Sequence, residues 1–151
     1  MMPTRPPMIA LAAALASACT SAPPAASPTE ANRVIVEDFA RIFYRERDVR
    51  RAFEKHVAPH YIQHNPGIAE GREAAIRALS PMFSRPEARF EVKRILVDGD
   101  LAAIHLFGRG DPATPGAAVA DIYRLKDGKI VEHWDILQPM PAQSANPHPM
   151  F

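Results

Sequence analysis

Residues 117–139, AAVADIYRLKDGKIVEHWDILQP, contain the pattern that decides the fold of this chain. Two runs rich in β-branched and aromatic residues flank Asp127-Gly128. This arrangement predicts two antiparallel strands joined by a tight turn. Three ionisable residues interrupt the apolar pattern of the two strands: Asp121, His133 and Asp135. A few polar groups among apolar neighbours are typical of a concave sheet face that holds a ligand.

The type of turn decides whether these ionisable side chains can meet. A two-residue type I′ loop would pair Asp121 with Trp134 and place Asp135 on the opposite face. A type I turn followed by a left-handed Gly128 bulge would pair Asp121 with His133 and keep Asp135 on the same face. We favour the bulged turn because it collects the three groups on one surface. A slip of one residue would send each of these side chains to the other face.

Composition places one globular domain between two proline-rich ends. The chain has 151 residues, which is enough for one domain with a real core. A formal net charge of +1 gives no indication of a nucleic-acid partner. Ten of the 16 prolines lie before residue 29 or after residue 138. The domain is therefore predicted over residues 29–139, and residues 140–151 are predicted to form a disordered proline-rich tail.

The first 28 residues have the pattern of an export signal followed by a flexible tether. Arg5 precedes an apolar run, residues 8–16, and small residues follow it up to Cys19. Cys19 stands where a bacterial lipobox has its lipidated cysteine, although Leu15 lies one residue further from it than is usual. The same residues also fit an ordinary signal-peptidase site. The sequence therefore predicts export to the periplasm or outer membrane, with attachment to the membrane where Cys19 is lipidated.

Helical periodicity comes first in the domain and strand patterns follow. Apolar residues at three- and four-residue spacing predict a helix from about Glu30 to Arg47, capped by Thr29. A short helix capped by Asp48 is predicted over residues 49–57, and a third helix over residues 71–83. Four strands are predicted at about residues 89–97, 101–108, 117–125 and 130–137. This order indicates an α+β fold, in which a curved mixed or antiparallel sheet wraps over the helices and encloses a pocket.

Further polar and aromatic side chains are candidates to bind a ligand in this pocket. Tyr61, His64 and Asn65 lie in an irregular extended segment, and His105 lies in a predicted strand. Alternatively, Asn65 closes a turn and the histidines satisfy backbone groups. The hairpin strands add two aromatic candidates, Tyr123 and Trp134.

Histidines at positions 56, 60 and 64 have a four-residue spacing that would place metal ligands on one helix face. Pro59 interrupts that face, so no metal site is predicted there.

Two segments carry a resemblance to a known family. YIQHNP at residues 61–66 and DIYRLKDGKIVEHWD at residues 121–135 resemble the SnoaL-like polyketide cyclase family. The resemblance extends over about residues 30–139. It implies the cystatin-like α+β cone fold, which ketosteroid isomerase and nuclear transport factor two share. It also implies ring closure by aldol condensation without a metal or cofactor, with Asp135 as the acid/base group and Asp121 as its partner.

The sequence as a whole predicts a cofactor-free acid/base enzyme that acts on a small hydrophobic carbonyl compound. Asp135 would move the proton, and Asp121 and His133 would tune it. His64 and Asn65 would hold the carbonyl oxygen. The alternative is a non-catalytic protein that binds a small apolar ligand. A homodimer through the open side of the sheet is also predicted.

Overall fold

A computed structural model describes residues 27–151, so the predicted leader and Cys19 lie outside the described residues. Three helices and a π-helical turn precede most of a five-stranded sheet. The elements are α1 Pro28–Ala40, the π turn Arg41–Arg45, α2 Val49–His56, β1 Val57–Gln63, α3 Arg72–Phe83, β2 Arg89–Asp98, β3 Leu101–Arg109, β4 Ala117–Lys126 and β5 Lys129–Pro139. Within residues 27–151 no helix is both long and apolar enough to cross a membrane.

Helix α1 begins two residues earlier than the sequence suggested. The Ser27 hydroxyl accepts the Glu30 N–H at 3.2 Å, and Pro28 occupies the first helical turn, where its missing N–H costs nothing. The prediction that Thr29 caps the helix is therefore wrong. The Thr29 hydroxyl instead accepts the Gly99 N–H at 3.1 Å, and this bond ties the start of α1 to the turn between β2 and β3.

The π turn lets three consecutive side chains enter the core. Ile42, Phe43 and Tyr44 are all buried, although successive residues of an α-helix point about 100° apart. The Glu46 N–H bonds to the Arg41 carbonyl at 3.0 Å, five residues back, which widens this turn of the helix. Tyr44 thereby reaches the sheet.

The next two helices agree closely with prediction. The Asp48 carboxylate caps α2 by accepting the Arg51 N–H at 3.0 Å. Helix α3 follows Gly71, which has a φ of 87° that favours glycine. Between the two helices lies a strand, β1, which the sequence analysis described only as an extended segment.

The sheet order is β1-β5-β4-β3-β2. Strand β1 runs parallel to β5, whereas the other neighbouring strands are antiparallel. The predicted α+β cone is confirmed, with a mixed sheet and five strands rather than four. The register places Gln63 beside His133, so β1 brings a polar side chain to the hairpin.

The hairpin of β4 and β5 has neither of the two registers considered from the sequence. Asp127 and Gly128 both have positive φ, 50° and 74°, as a type I′ turn requires. An extra residue, Val131, then bulges out of β5, because Leu125 pairs with Ile130 while Arg124 pairs with Glu132.

Asp121 therefore pairs with Asp135, and Tyr123 pairs with His133. The prediction of a left-handed glycine bulge at the turn is wrong, as is the pairing of Asp121 with His133. The shared face of the three ionisable residues nevertheless forms, because the bulge at Val131 corrects the phase of β5.

The hydrophobic core lies between the helices and the concave face of the sheet. Phe39, Phe43 and Phe53 form an aromatic cluster on the helical side, and Ile104, Leu106 and Ile130 are buried on the sheet side. Residues 140–151 form no helix or strand, and their predicted disorder stays a prediction. The final residue, Phe151, lies against Phe107 on the outer face, with 5.3 Å between ring centroids.

Candidate active site

A cavity of about 400 Å³ lies between the concave sheet face and the helices. Most of its wall is apolar. The apolar lining includes Phe43, Phe53, Ile68, Leu79, Met82, Phe83, Phe90, Leu106 and Val119. The polar lining comes from β1, its following loop, the π turn and the hairpin, and it includes Tyr44, Tyr61, Asn65, Asp121, Tyr123, His133 and Asp135. An apolar chamber with a few convergent polar groups suits a small hydrophobic ligand that carries one or two oxygen atoms.

Asp121 is buried and bonded on both carboxylate oxygens. Its Oδ2 accepts the Tyr44 hydroxyl at 2.5 Å, and its Oδ1 lies 3.2 Å from His133 Nε2. The Tyr44 and Tyr123 hydroxyl oxygens are 2.8 Å apart. Because Tyr44 donates its only proton to Asp121, Tyr123 must donate to Tyr44.

Burial raises the pKa of Tyr44 well above its ordinary value, and the charge of Asp121 raises it further. The pKa of Tyr123 is raised in the same way, again mainly by burial. Both hydroxyls therefore stay protonated and act as donors beside the carboxylate.

Gln63 fixes the orientation of His133. The Gln63 Oε1 accepts the backbone N–H of Asn65 at 2.8 Å, which identifies this atom as the oxygen of the amide. His133 Nδ1 lies 2.9 Å from the same oxygen and must therefore donate to it. The Gln63 amide nitrogen donates to the Tyr61 hydroxyl at 2.6 Å.

This tautomer has a consequence for the contact between His133 and Asp121. With the proton of the neutral ring on Nδ1, Nε2 presents a lone pair to Asp121 Oδ1. Two acceptor atoms at 3.2 Å repel one another unless a positive charge lies between them. One proton shared by the pair meets this need, either as an imidazolium facing a carboxylate or as an imidazole facing a carboxylic acid.

Asp135 lies opposite Asp121 on the neighbouring strand and also lines the cavity. Its Oδ2 accepts the side-chain amide of Asn65 at 2.5 Å. Asn65 is itself held, because its Oδ1 accepts the Gly67 N–H at 2.8 Å. Among residues 27–151, no hydrogen bond reaches Oδ1 of Asp135, so this oxygen is free to act on a ligand.

Six of the candidate site residues therefore line the cavity: Asp121, His133, Asp135, Tyr61, Asn65 and Tyr123. The other three do not. His64 stacks on Trp134 with 4.8 Å between ring centroids, and its Nε2 bonds to Glu132 at 2.9 Å on the outer face. His105 also faces outward, where Arg94 donates to its Nδ1 at 2.9 Å.

The predicted ligand-binding positions of His64, His105 and Trp134 are corrected accordingly. The physical reason is the two-residue alternation of a strand. His105 lies between Ile104 and Leu106, which both point into the core, so its own side chain points to the outer face of β3. Trp134 lies between His133 and Asp135 and so takes the opposite face, and His64 follows Gln63 onto that face.

Two functional residues were missed from the sequence. Tyr44 carried a signal, because it completes a run of three large apolar or aromatic residues that a regular helix cannot bury together. Gln63 alternates with Tyr61, and that alternation would have predicted a shared inward face had the segment been assigned as a strand.

Comparison with known protein families agrees with this architecture. A family model, SnoaL-like domain, matches residues 36–133, which form most of the described fold. The chain belongs to the SnoaL-like family. A search of curated proteins gives no match.

Several solved structures share the SnoaL-like fold of this chain. TsrD from Streptomyces laurentii is 25% identical with a TM-score of 0.57, and the match covers 71% of this chain and 87% of TsrD. An NTF2-like protein of unknown function from Mesorhizobium loti is 22% identical with a TM-score of 0.64, over 76% of this chain and 96% of that one. A proposed polyketide cyclase from Acidithiobacillus ferrooxidans is 20% identical with a TM-score of 0.58, over 74% and 91% of the two chains.

Proposed function

We propose that this SnoaL-like protein is an acid/base enzyme that enolises a small hydrophobic carbonyl compound, as an aldol-type cyclase, an isomerase or a related lyase would. One observation carries the proposal. Asp135 has an oxygen without a hydrogen-bond partner in residues 27–151, at the wall of an apolar cavity and beside the paired side chains of Asp121 and His133. A base and a proton donor thus face the same ligand volume.

The two carboxylates have separate roles in this proposal. Asp135 takes a proton from the carbon next to the carbonyl group, and Asn65 keeps its carboxylate oriented. The proton shared by Asp121 and His133 passes to the carbonyl oxygen as negative charge develops there. The product of this step is an enol, and the reverse transfers return both protons after the carbon skeleton has reacted. Tyr44 stabilises the Asp121 carboxylate once its proton has left.

The substitution Asp135→Asn tests the proposal. It keeps the size of the side chain but removes the base, so we expect enolisation to fall by about 10²-fold or more. The assay is NMR-detected exchange of deuterium into the carbons next to the carbonyl group, across a panel of apolar cyclic ketones and diketones. Asp111→Asn, in the exposed connection between β3 and β4, is the matched control and should exchange at the wild-type rate.

A non-catalytic binding protein is the second candidate function, and the predominantly apolar wall of the cavity favours it. In that case wild-type protein would bind members of the ketone panel without catalysing exchange. Affinity would then depend on apolar residues such as Phe43, and Asp135→Asn would leave it nearly unchanged. Exchange that is equally fast in wild type and Asp135→Asn would reject the role of Asp135.

We also propose that the protein is exported and that Cys19 becomes its lipidated first residue. The motivation is the sequence pattern of residues 1–28, with an apolar run and small residues before Cys19. Mass spectrometry of the N-terminal peptide from membrane fractions of a bacterial host should find a diacylglyceryl-modified Cys19. A chain that keeps Met1, or a mature protein that starts at another residue, contradicts this proposal.

A further inference from the structure

The polar end of the cavity has an excess of negative groups. Asp121 and Asp135 lie directly opposite each other on neighbouring strands, an arrangement that is unfavourable for two like charges. Among the described residues, those that line the cavity include no lysine or arginine. The nearest basic group is His133, whose Nε2 faces Asp121. This end of the cavity is therefore suited to a cation.

In each of the side chains of Asp121, His133 and Asp135, one polar atom is hydrogen-bonded to a residue outside this cluster. The other polar atom faces the cavity. Gln63 accepts from Nδ1 of His133, Tyr44 donates to Oδ2 of Asp121, and Asn65 donates to Oδ2 of Asp135. Each of the three residues also offers one ligand atom, a ring nitrogen or a carboxylate oxygen, and these three atoms lie within 4.8 Å of one another.

Outer hydrogen bonds of this kind are those that orient the ligands of protein metal sites. A metal-binding histidine commonly donates its other ring N–H to a carbonyl or carboxylate, and metal-binding carboxylates are themselves hydrogen-bonded. Here the holding groups are three different residues from β1, the π turn and the loop after β1.

We propose that Asp121, His133 and Asp135 bind a first-row divalent cation of the Zn²⁺ type. The 3.2 Å between His133 Nε2 and Asp121 Oδ1 needs a positive charge between the two atoms, and a metal ion supplies it as well as a proton does. Adjacent ligands of one Zn²⁺, with bonds of about 2.0–2.2 Å, lie at a similar separation. One imidazole and two carboxylates form a donor set that Zn²⁺ accepts, and the cavity leaves room for water or a ligand oxygen to complete the coordination.

The proposal uses residues of the proposed reaction, but its test does not depend on that reaction. Metal occupancy is measured directly, so loss of metal binding and loss of enolisation are separate results. The metal-bound site and the site that carries out the proposed reaction exclude each other. A bound cation takes the place of the proton shared by Asp121 and His133, and it also occupies the free oxygen of Asp135.

The experiment uses the full chain, stripped of metal with a chelator and titrated with Zn²⁺ by calorimetry and with Co²⁺ by visible absorption. We expect one ion per chain and bands of Co²⁺ bound to nitrogen and oxygen. His133→Ala should abolish the bands, and Asp135→Asn should weaken binding at least tenfold. Gln63→Leu removes the hydrogen bond that orients His133, together with the bonds of Gln63 to Asn65 and Tyr61, and should weaken binding by about 10–100-fold.

The outward-facing histidines are the matched controls. His64→Ala and His105→Ala should bind Co²⁺ with wild-type affinity, because neither side chain faces the cavity. A wild-type chain that binds no Co²⁺ or Zn²⁺ overturns the proposal. Equal affinity in wild type and Asp135→Asn also overturns it, as does a loss of binding in His64→Ala that matches the loss in His133→Ala. If His133→Ala does not fold, Asp135→Asn decides the result.

Discussion

Tyr44 makes the most demanding polar contact of the cavity. Its hydroxyl is buried, donates to a carboxylate and accepts from a second tyrosine, so it serves two groups that are cut off from water. A hydrogen bond to a charged group contributes more than one between neutral groups, and a buried partner left alone costs still more. Tyr44 should therefore matter to stability as well as to the orientation of Asp121.

The substitution Tyr44→Phe should lower the free energy of unfolding by about 1–3 kcal/mol, because it removes the donor to Oδ2 of Asp121 and leaves the Tyr123 hydroxyl without an acceptor. Tyr123→Phe is the matched control. It removes only the last hydroxyl of the hydrogen-bonded series Asp121, Tyr44 and Tyr123, so it should lower the free energy of unfolding by about 0.5–1.5 kcal/mol. Urea unfolding of both variants measures the difference. A Tyr44→Phe protein that is no less stable than Tyr123→Phe would show that the bond to Asp121 contributes little.

Residue by residue, the sequence predicted the placement of the polar side chains of the hairpin better than that of their neighbours. Asp121, His133 and Asp135 stood out because charged groups interrupt an apolar strand pattern. His64 and Trp134 could not be placed, because their face depends on the register of β5 and on β1 being a strand. That register depends on tertiary packing, which single residues do not report.

Between elements, the best-defined polar junction away from the cavity joins α1 to α2. The Asp38 carboxylate of α1 accepts hydrogen bonds from Lys55 and His56 of α2, both at 2.7 Å. Hydrogen bonds from Lys55, then Arg41, then His56 lower the pKa of Asp38. Burial lowers the pKa of His56, and Lys55 and Lys129 act in the same direction, whereas Asp38 opposes them.

This junction predicts a loss of stability in mild acid. Because the pKa of His56 is lower in the folded chain than its unfolded value of about 6.5, the unfolded chain binds the extra proton first. The contribution of His56 to the free energy of unfolding is then fully present above about pH 6.5, and it declines as the pH falls below that value. The lowered pKa of Asp38 adds a second loss only below about pH 4.

The measurement compares free energies of unfolding at about pH 8 and about pH 5.5, on either side of the unfolded histidine pKa. His56→Gln should show a smaller drop between the two values than wild type does. His60→Gln, at an exposed position on β1, should keep the wild-type drop. An unchanged drop in His56→Gln would assign the acid sensitivity to another group.

The elements themselves were largely predictable, while the joints between them were not. Helical spacing and the Asp48 cap located α1 to α3, and apolar alternation located β2 to β5. The bulge at Val131 could not be predicted from the local sequence, because it depends on which side chains of β5 must pack against the core. A type I′ turn without the bulge would turn Glu132 and Trp134 toward the core, and burying the Glu132 charge there would be costly. The extra residue removes that conflict.

For the molecule as a whole, the outer face of the sheet exposes several large apolar side chains. Leu96 of β2 and Ile136 of β5 are 65% and 62% exposed, and Ile122 and Trp134 lie between them. Broad apolar areas of this kind mark interaction surfaces in soluble proteins. We propose that a second copy of the chain covers this face in a homodimer.

Substitution of Ile136 tests the dimer. We expect Ile136→Lys to convert the protein from a dimer to a monomer, because it places a charge in an interface core, where charged residues are depleted. Val34→Lys is the matched control, since Val34 is also 62% exposed but lies on α1, away from the sheet face. Light scattering coupled to size-exclusion chromatography measures the mass of each variant. A monomeric wild type, or a dimeric Ile136→Lys protein, contradicts the proposed interface.

The parallel pairing of β1 with β5 also determines when the site can form during synthesis. Gln63 and His133 are 70 residues apart in sequence, and β5 is made after the other four strands of the sheet. Proteins rich in such distant contacts fold slowly, because a long loop must close before the contacts form. Most of the apolar wall of the cavity can assemble from the helices and the first strands. The polar end can form only after β5 has been made, because His133 and Asp135 belong to that strand. A chain that lacks β5 would therefore expose the apolar surface of the cavity and an unpaired strand edge, the two features that make folding intermediates aggregate.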